Sequence, residues 1–123
     1  MADVIRLVDY FYITIDDRPG EGSRALNVLR EAGVHLNAFH AFPTGRRAQL
    51  DFVPSDPTAF KAAAKMAKWK ITGPEKAFVI ESEDRTGALV DHLAKLGEAK
   101  INVTAASATI AGSGRSDSLG EAA

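Results

Sequence analysis

The chain has 123 residues, 46% hydrophobic and 25% charged, a composition that suits a folded globular protein with one ordinary core or two small ones. Lys and Arg number 15 against 16 Asp and Glu, so no basic excess exists to neutralise phosphates, which argues against a nucleic-acid partner and against an acidic membrane surface. Cysteine is absent, which excludes a disulfide framework, thiolate metal sites and a cysteine nucleophile, and is compatible with a reducing, cytoplasmic location.

The opening segment carries Asp3, Arg6 and Asp9 and runs straight into a strand pattern, unlike a signal peptide. No apolar run approaches the ~20 residues that a membrane helix needs. Residues 8–16 place Phe11, Ile13 and Ile15 at period two, one face of a strand. Arg18-Pro19-Gly20-Glu21-Gly22 breaks it. From Ser23 to Ala32 the apolar residues Ala25, Leu26, Val28 and Leu29 recur at helical spacing, and Gly33 ends the stripe.

Residues 34–43 return as a strand, and Thr44-Gly45-Arg46 turns the chain into Arg47–Val53, where Ala48, Leu50 and Phe52 alternate with polar residues. In the second strand His35, Asn37 and Phe39 are opposite in phase to Val34, Leu36 and Ala38. They are expected on the outer face, with Tyr10, Tyr12 and Thr14, if helices cover Phe11, Ile13 and Ile15. Asp56-Pro57 reads as an N-cap followed by a first-turn proline, and Phe60, Ala63, Ala64 and Ala67 as the next helical stripe. Trp69–Thr72 is expected to close the unit as a fourth strand. The order is βαββαβ, a ferredoxin-like α+β arrangement of one antiparallel sheet with both helices on one face.

Sliding the sequence on itself by about 67 residues aligns two segments without a gap. Phe11 falls on Phe78, Ile13 on Ile80, Asp17 on Asp84, Arg18 on Arg85, Gly20 on Gly87, Leu26 on Leu93 and Leu29 on Leu96. The reading is a duplication, with a first repeat over residues 1–73 and a second over 74–123. The second repeat begins with Ala77–Ser82 as strand, continues through Gly87–Glu98 as helix and Ile101–Ile110 as strand, and then loses the parallel. Arg115–Ala123 holds one large apolar residue, Leu119. The expectation is therefore an incomplete βαβ repeat, truncated after its second strand, whose open edge is relieved by dimerisation in a shortened chain.

At Asp17-Arg18-Pro19-Gly20 and Asp84-Arg85-Thr86-Gly87, each followed by an amphipathic helix and by Val34-His35-Leu36 or Ile101-Asn102-Val103, the chain resembles the ACT-domain family over residues 8–112. The resemblance implies a tandem, non-catalytic regulatory module that binds an amino acid where two modules meet. A glycine between strand and helix lets a ligand approach the backbone, and the unpaired amides of the first helical turn suit a carboxylate. Asp17 or Asp84 could receive the ammonium group. The candidate ligand residues are Asp17, Pro19, Gly20, Glu21, Gly22, Ser23 and His35 in the first repeat, and Asp84, Gly87, Ala88, Leu89 and Asn102 in the second. An Asp before a Gly also serves as a plain turn residue, and a polar residue opening a strand is as often merely solvated.

Other chemistries fit less well. His35 and His40 differ by five in a strand and His92 lies on a helix, which argues against a histidine metal site. No nucleophile-elbow context surrounds Ser23, and no catalytic residue or cofactor is expected. The third strand lacks the aromatics of an RNA-recognition module, and Asp17 opposes an acylphosphatase-like phosphate loop at Arg18. The alternative to the sensor is a purely structural homodimerisation module that binds no ligand.

Overall fold

The computed structural model describes residues 4–83, 86–112 and 115–122. In chain order the elements are β1 (Val4–Asp16), α1 (Glu21–Glu31), β2 (Leu36–Thr44), β3 (Arg47–Pro54), α2 (Pro57–Met66), β4 (Thr72–Glu83), α3 (Ala88–Glu98), β5 (Val103–Gly112) and β6 (Arg115–Ala122). This is an α+β chain of antiparallel strands with helices packed on them. Contacts group Asp9–Glu75 into one unit and Met1–Val8 with Lys76–Ala123 into another, so β1 and β4 each give residues to both.

In the Asp9–Glu75 unit β3 lies in the middle, antiparallel to β1 on one side and to β2 on the other. Phe11 pairs with Phe52 and Ile13 with Leu50, which sets one alternating face of apolar side chains. On that face Phe11, Ile13, Leu50 and Phe52 bury against Ala25 and Leu29 of α1 and Phe60 and Ala63 of α2. The rings interlock: Phe60 lies 5.1 Å from Phe11 and 5.3 Å from Phe52, and Trp69 is 5.8 Å from Phe52 between centroids.

The helix ends follow local chemistry. α1 stops where Gly33 N–H donates to the Arg30 carbonyl and Val34 N–H to that of Leu29, a Schellman pair. α2 starts at Asp56, whose carboxylate accepts from the amides of Thr58 at 3.0 Å and Ala59 at 3.3 Å, with Pro57 as the first helical residue. Asp56→Ala is expected to cost about 1 kcal/mol, read as a shift in the urea midpoint at unchanged slope. No shift would mean that tertiary packing alone holds the start of α2.

The structure corrects the phase read for the second strand. The ladder between β2 and β3 shifts register between Leu36 and Ala38. This bulge inserts one residue, so Leu36 packs on the core and Phe39, three residues on, returns to the same helix-covered side opposite Phe52. Phe39 therefore does not join the outer face, which carries the cross-strand row Tyr12, Asp51 and His40. Asp51 is buried there. One carboxylate oxygen accepts from Gln49 Nε2 at 2.9 Å, while Oδ2 has no hydrogen-bond partner among the described residues.

In the other unit β6 lies between β4 and β5, antiparallel to both. That overturns truncation after the second strand: the polar tail supplies a third, central strand, so β5 is paired within the chain and needs no partner for it. Ladder hydrogen bonds use the backbone and do not require apolar side chains. The tail also has a two-residue pattern, because Ser116, Ser118 and Gly120 are all small and pair across β4 with Ser82, Ile80 and Phe78. α3 buries Ala88 and His92, and His92 Nε2 lies 3.3 Å from Ser82 Oγ of β4.

Strands expected separately at 69–72 and 77–82 are one element, β4, beginning at Thr72. The Gly73-Pro74 pair reads as a breaker in sequence. Gly73 takes φ +127 and lets the extended chain pass close to the Tyr10 carbonyl.

Candidate functional site

β1 ends at Asp16, and the turn of Asp17 to Gly20 carries the chain directly into α1. Asp17, Pro19 and Gly20 lie in this exposed turn, whereas Glu21, Gly22 and Ser23 form the first turn of the helix rather than a loop. Gly20 caps the helix in the left-handed region at φ 87, with no side chain accepting from the helix amides. Only a residue without Cβ holds that conformation at no steric cost.

The backbone bonds at this end are few. Glu21 N–H donates to the Arg18 carbonyl at 3.3 Å and Arg24 N–H to that of Gly20 at 3.0 Å. The amides of Gly22 and Ser23, between them, have no acceptor among the described residues. These are the orphan donors of a helix N-terminus, at the positive end of the helix dipole. Arg18 is not free to add its charge: it pairs with Asp16 at 2.9 Å and lies 3.6 Å from Glu21, which also binds Arg24 at 2.9 Å. Asp16, Arg18, Glu21 and Arg24 thus satisfy one another along one flank.

On the other flank, Gly22 and Ser23 open onto a cleft of about 660 Å³ between α1 and the edge strand β2. Leu26, Asn27, Arg30, Phe39, Ala41 and Leu50 also line it. The volume falls in the range of small-molecule sites. Sequence reasoning missed these further residues. The helical stripe identified Leu26, but Phe39 enters the cleft only because the bulge reverses its phase.

His35 is not brought to this turn within the unit. It stands just before β2, past the far end of α1, about 16 Å of helix from Gly20, and its carbonyl accepts from the amide and hydroxyl of Ser55. In the second half Gly87 repeats the left-handed cap at φ 81, Ala88 is buried, Leu89 is exposed, and Asn102 is an exposed residue one position before β5. Asp84 lies outside the described residues. Among the described residues no cluster of three His, Asp or Glu is placed to hold a metal ion, and no helix is long and apolar enough to cross a membrane.

Comparison with known proteins places the fold. The chain is similar to the crystal structure of protein BT0572 from Bacteroides thetaiotaomicron, with a TM-score of 0.80 and 18% identity over 97% of this chain and 81% of that one. It is also similar to the ligand-free regulatory subunit of aspartate kinase from Thermus thermophilus, with a TM-score of 0.62 and 17% identity over 98% and 88% of the two chains. The regulatory subunit of aspartate kinase from Thermus flavus gives 0.64 and 15% over 98% and 87%. No family model matches the chain, and no curated protein matches it. What is shared with these structures is the fold.

Proposed function

We propose that this chain is a non-catalytic regulatory module of the ACT type, acting in the cytoplasm, that binds an amino acid or a closely similar metabolite at the Asp17–Ser23 turn. The observation that carries this reading is the pair of amides at Gly22 and Ser23 without an internal acceptor, on two residues that also line the cleft beside the strand-to-helix turn. A ligand carboxylate there satisfies donors the fold leaves open, and Asp17, exposed in the same turn, is the group available to an ammonium. The likeness in fold to regulatory subunits of aspartate kinase supports a sensing role over a catalytic one.

In the same reading the two halves descend from one repeat, divided near residues 73 and 74. Gly87 takes the place of Gly20 as a left-handed cap, with Asp84, Ala88, Leu89 and Asn102 forming the second ligand position. His35 stays in the proposed ligand set of the first repeat, although it stands past the far end of α1 from Gly20. A second reading, dimerisation without ligand, is favoured by one feature: β2 is the outer strand of its sheet and presents Phe39 at 39% exposure.

Calorimetric titration of the whole chain with a panel of amino acids tests the proposal, with Ser23→Pro as the control variant. Proline removes an amide that makes no internal hydrogen bond and is tolerated in a first helical turn, so folding is expected to survive. Affinity is expected to fall roughly tenfold or more, the worth of one hydrogen bond to a charged group. No heat with any amino acid, together with a stable dimer by light scattering, would instead select the structural module.

A further inference from the structure

The cleft beside the turn has a composition that the amide donors do not require. α1 packs Ala25 and Leu29 into the core that holds Ile13 and Leu50, and β2 is the outer strand of the sheet beyond β3. Phe39 and Ala41, which pair with Phe52 and Leu50, are exposed along that strip, whereas Phe52 and Leu50 behind them are buried. Leu26 projects from α1 as the facing wall. The polar side chains among the lining residues are those of Ser23, Asn27 and Arg30, and the cation among them has partners: Arg30 donates to Asn27 Oδ1 and lies 3.9 Å from Glu31.

Resting on the reading above, we infer that the ligand is an amino acid with a large apolar side chain, branched aliphatic or aromatic, seated against Leu26, Phe39, Ala41 and Leu50. Its carboxylate lies at the amides of Gly22 and Ser23, and the side chain runs from there along α1 towards Arg30. The side chains of Leu26, Phe39, Ala41 and Leu50 offer carbon surface. A charged or amide side chain seated against those four residues would lose water without a partner among them, whereas an apolar one gains by leaving water. Glycine or alanine would reach the same amides but leave the walls wet. Differences of a methylene or two in such a site change affinity by roughly ten- to two-hundredfold. Removal of a whole isobutyl or benzyl group therefore brings binding to the limit of detection.

The test compares leucine, isoleucine and phenylalanine with alanine, serine, aspartate and lysine, by calorimetry on the whole chain, for the wild type and for Ala41→Phe. Ala41 is exposed on an edge strand, so a larger ring there fills the cleft without entering the core; an unchanged thermal midpoint verifies that. The expected result is binding of the large apolar amino acids at least tenfold tighter than the others, lost by at least tenfold in Ala41→Phe. Tighter binding of a polar or charged amino acid, or undiminished leucine affinity in a folded Ala41→Phe, overturns this inference and leaves the turn as an amino-acid site. Absence of binding by every amino acid sinks the functional reading itself, and this inference with it.

Discussion

Phe52→Ala is expected to cost about 3–5 kcal/mol, the range for removing a fully buried aromatic ring from a packed core. Phe52 has no exposed surface and sits on the central strand β3, where it pairs with Phe11 and Phe39 and lies against the rings of Phe60 and Trp69. Its neighbours are aromatic rings and ladder-bound strands, which relax poorly into the vacated space. Domains of ordinary stability have about 5–15 kcal/mol in total, and small ones stand at the low end. Residues 9–75 should therefore keep only about 0–2 kcal/mol of stability at 25 °C in this variant if the wild type stands near 5 kcal/mol. Near-ultraviolet circular dichroism of Trp69, the sole tryptophan, reports it directly. A native-like signal with a urea midpoint within about 1 kcal/mol of wild type would show that the ring is not the centre of this core. The cleft should go with the core, because Phe39 leans on Phe52 at 5.6 Å.

Gly73→Ala is the second large effect, although it adds one methyl group at a surface-lying position. A Cβ there would stand 2.8 Å from the Tyr10 carbonyl oxygen and 3.1 Å from Phe11 Cδ1, and the residue holds φ +127, where L side chains are strained. Neither obstacle is a flexible side-chain end: one is backbone in β1, the other a ring at the bottom of the core. Backbone strain and overpacking together are expected to cost about 3 kcal/mol. Gly20→Ala is the internal control. Gly20 also has positive φ, at 87, but nothing lies within 4 Å of its would-be Cβ, so only the left-handed penalty of about 1–2 kcal/mol applies. Equal losses in the two variants, measured by chemical denaturation, would refute the close approach at Gly73.

What was legible in the sequence is the part governed by local periodicity and capping. Phe11, Ile13 and Ile15 at period two, the α1 stripe, Asp56-Pro57 at the start of α2 and Gly20 before α1 all describe interactions within a few residues. Each is found where its pattern put it. The turn of the candidate site was legible for the same reason, since a strand, a glycine and a helix in succession fix where orphan amides must stand. Tertiary structure decided the rest. One bulged residue between Leu36 and Ala38 turned Phe39 from the outer face into the cleft, and side-chain alternation alone carries no trace of such a slip. Arg115–Ala122 lacks the apolar content by which strands are recognised, yet becomes a central strand because β4 and β5 offer it hydrogen-bonding edges on both sides. The wall of the cleft joins α1 to residues of β2 and β3 brought beside it only by the packing of helix on sheet, a contact between distant segments that no local pattern encodes.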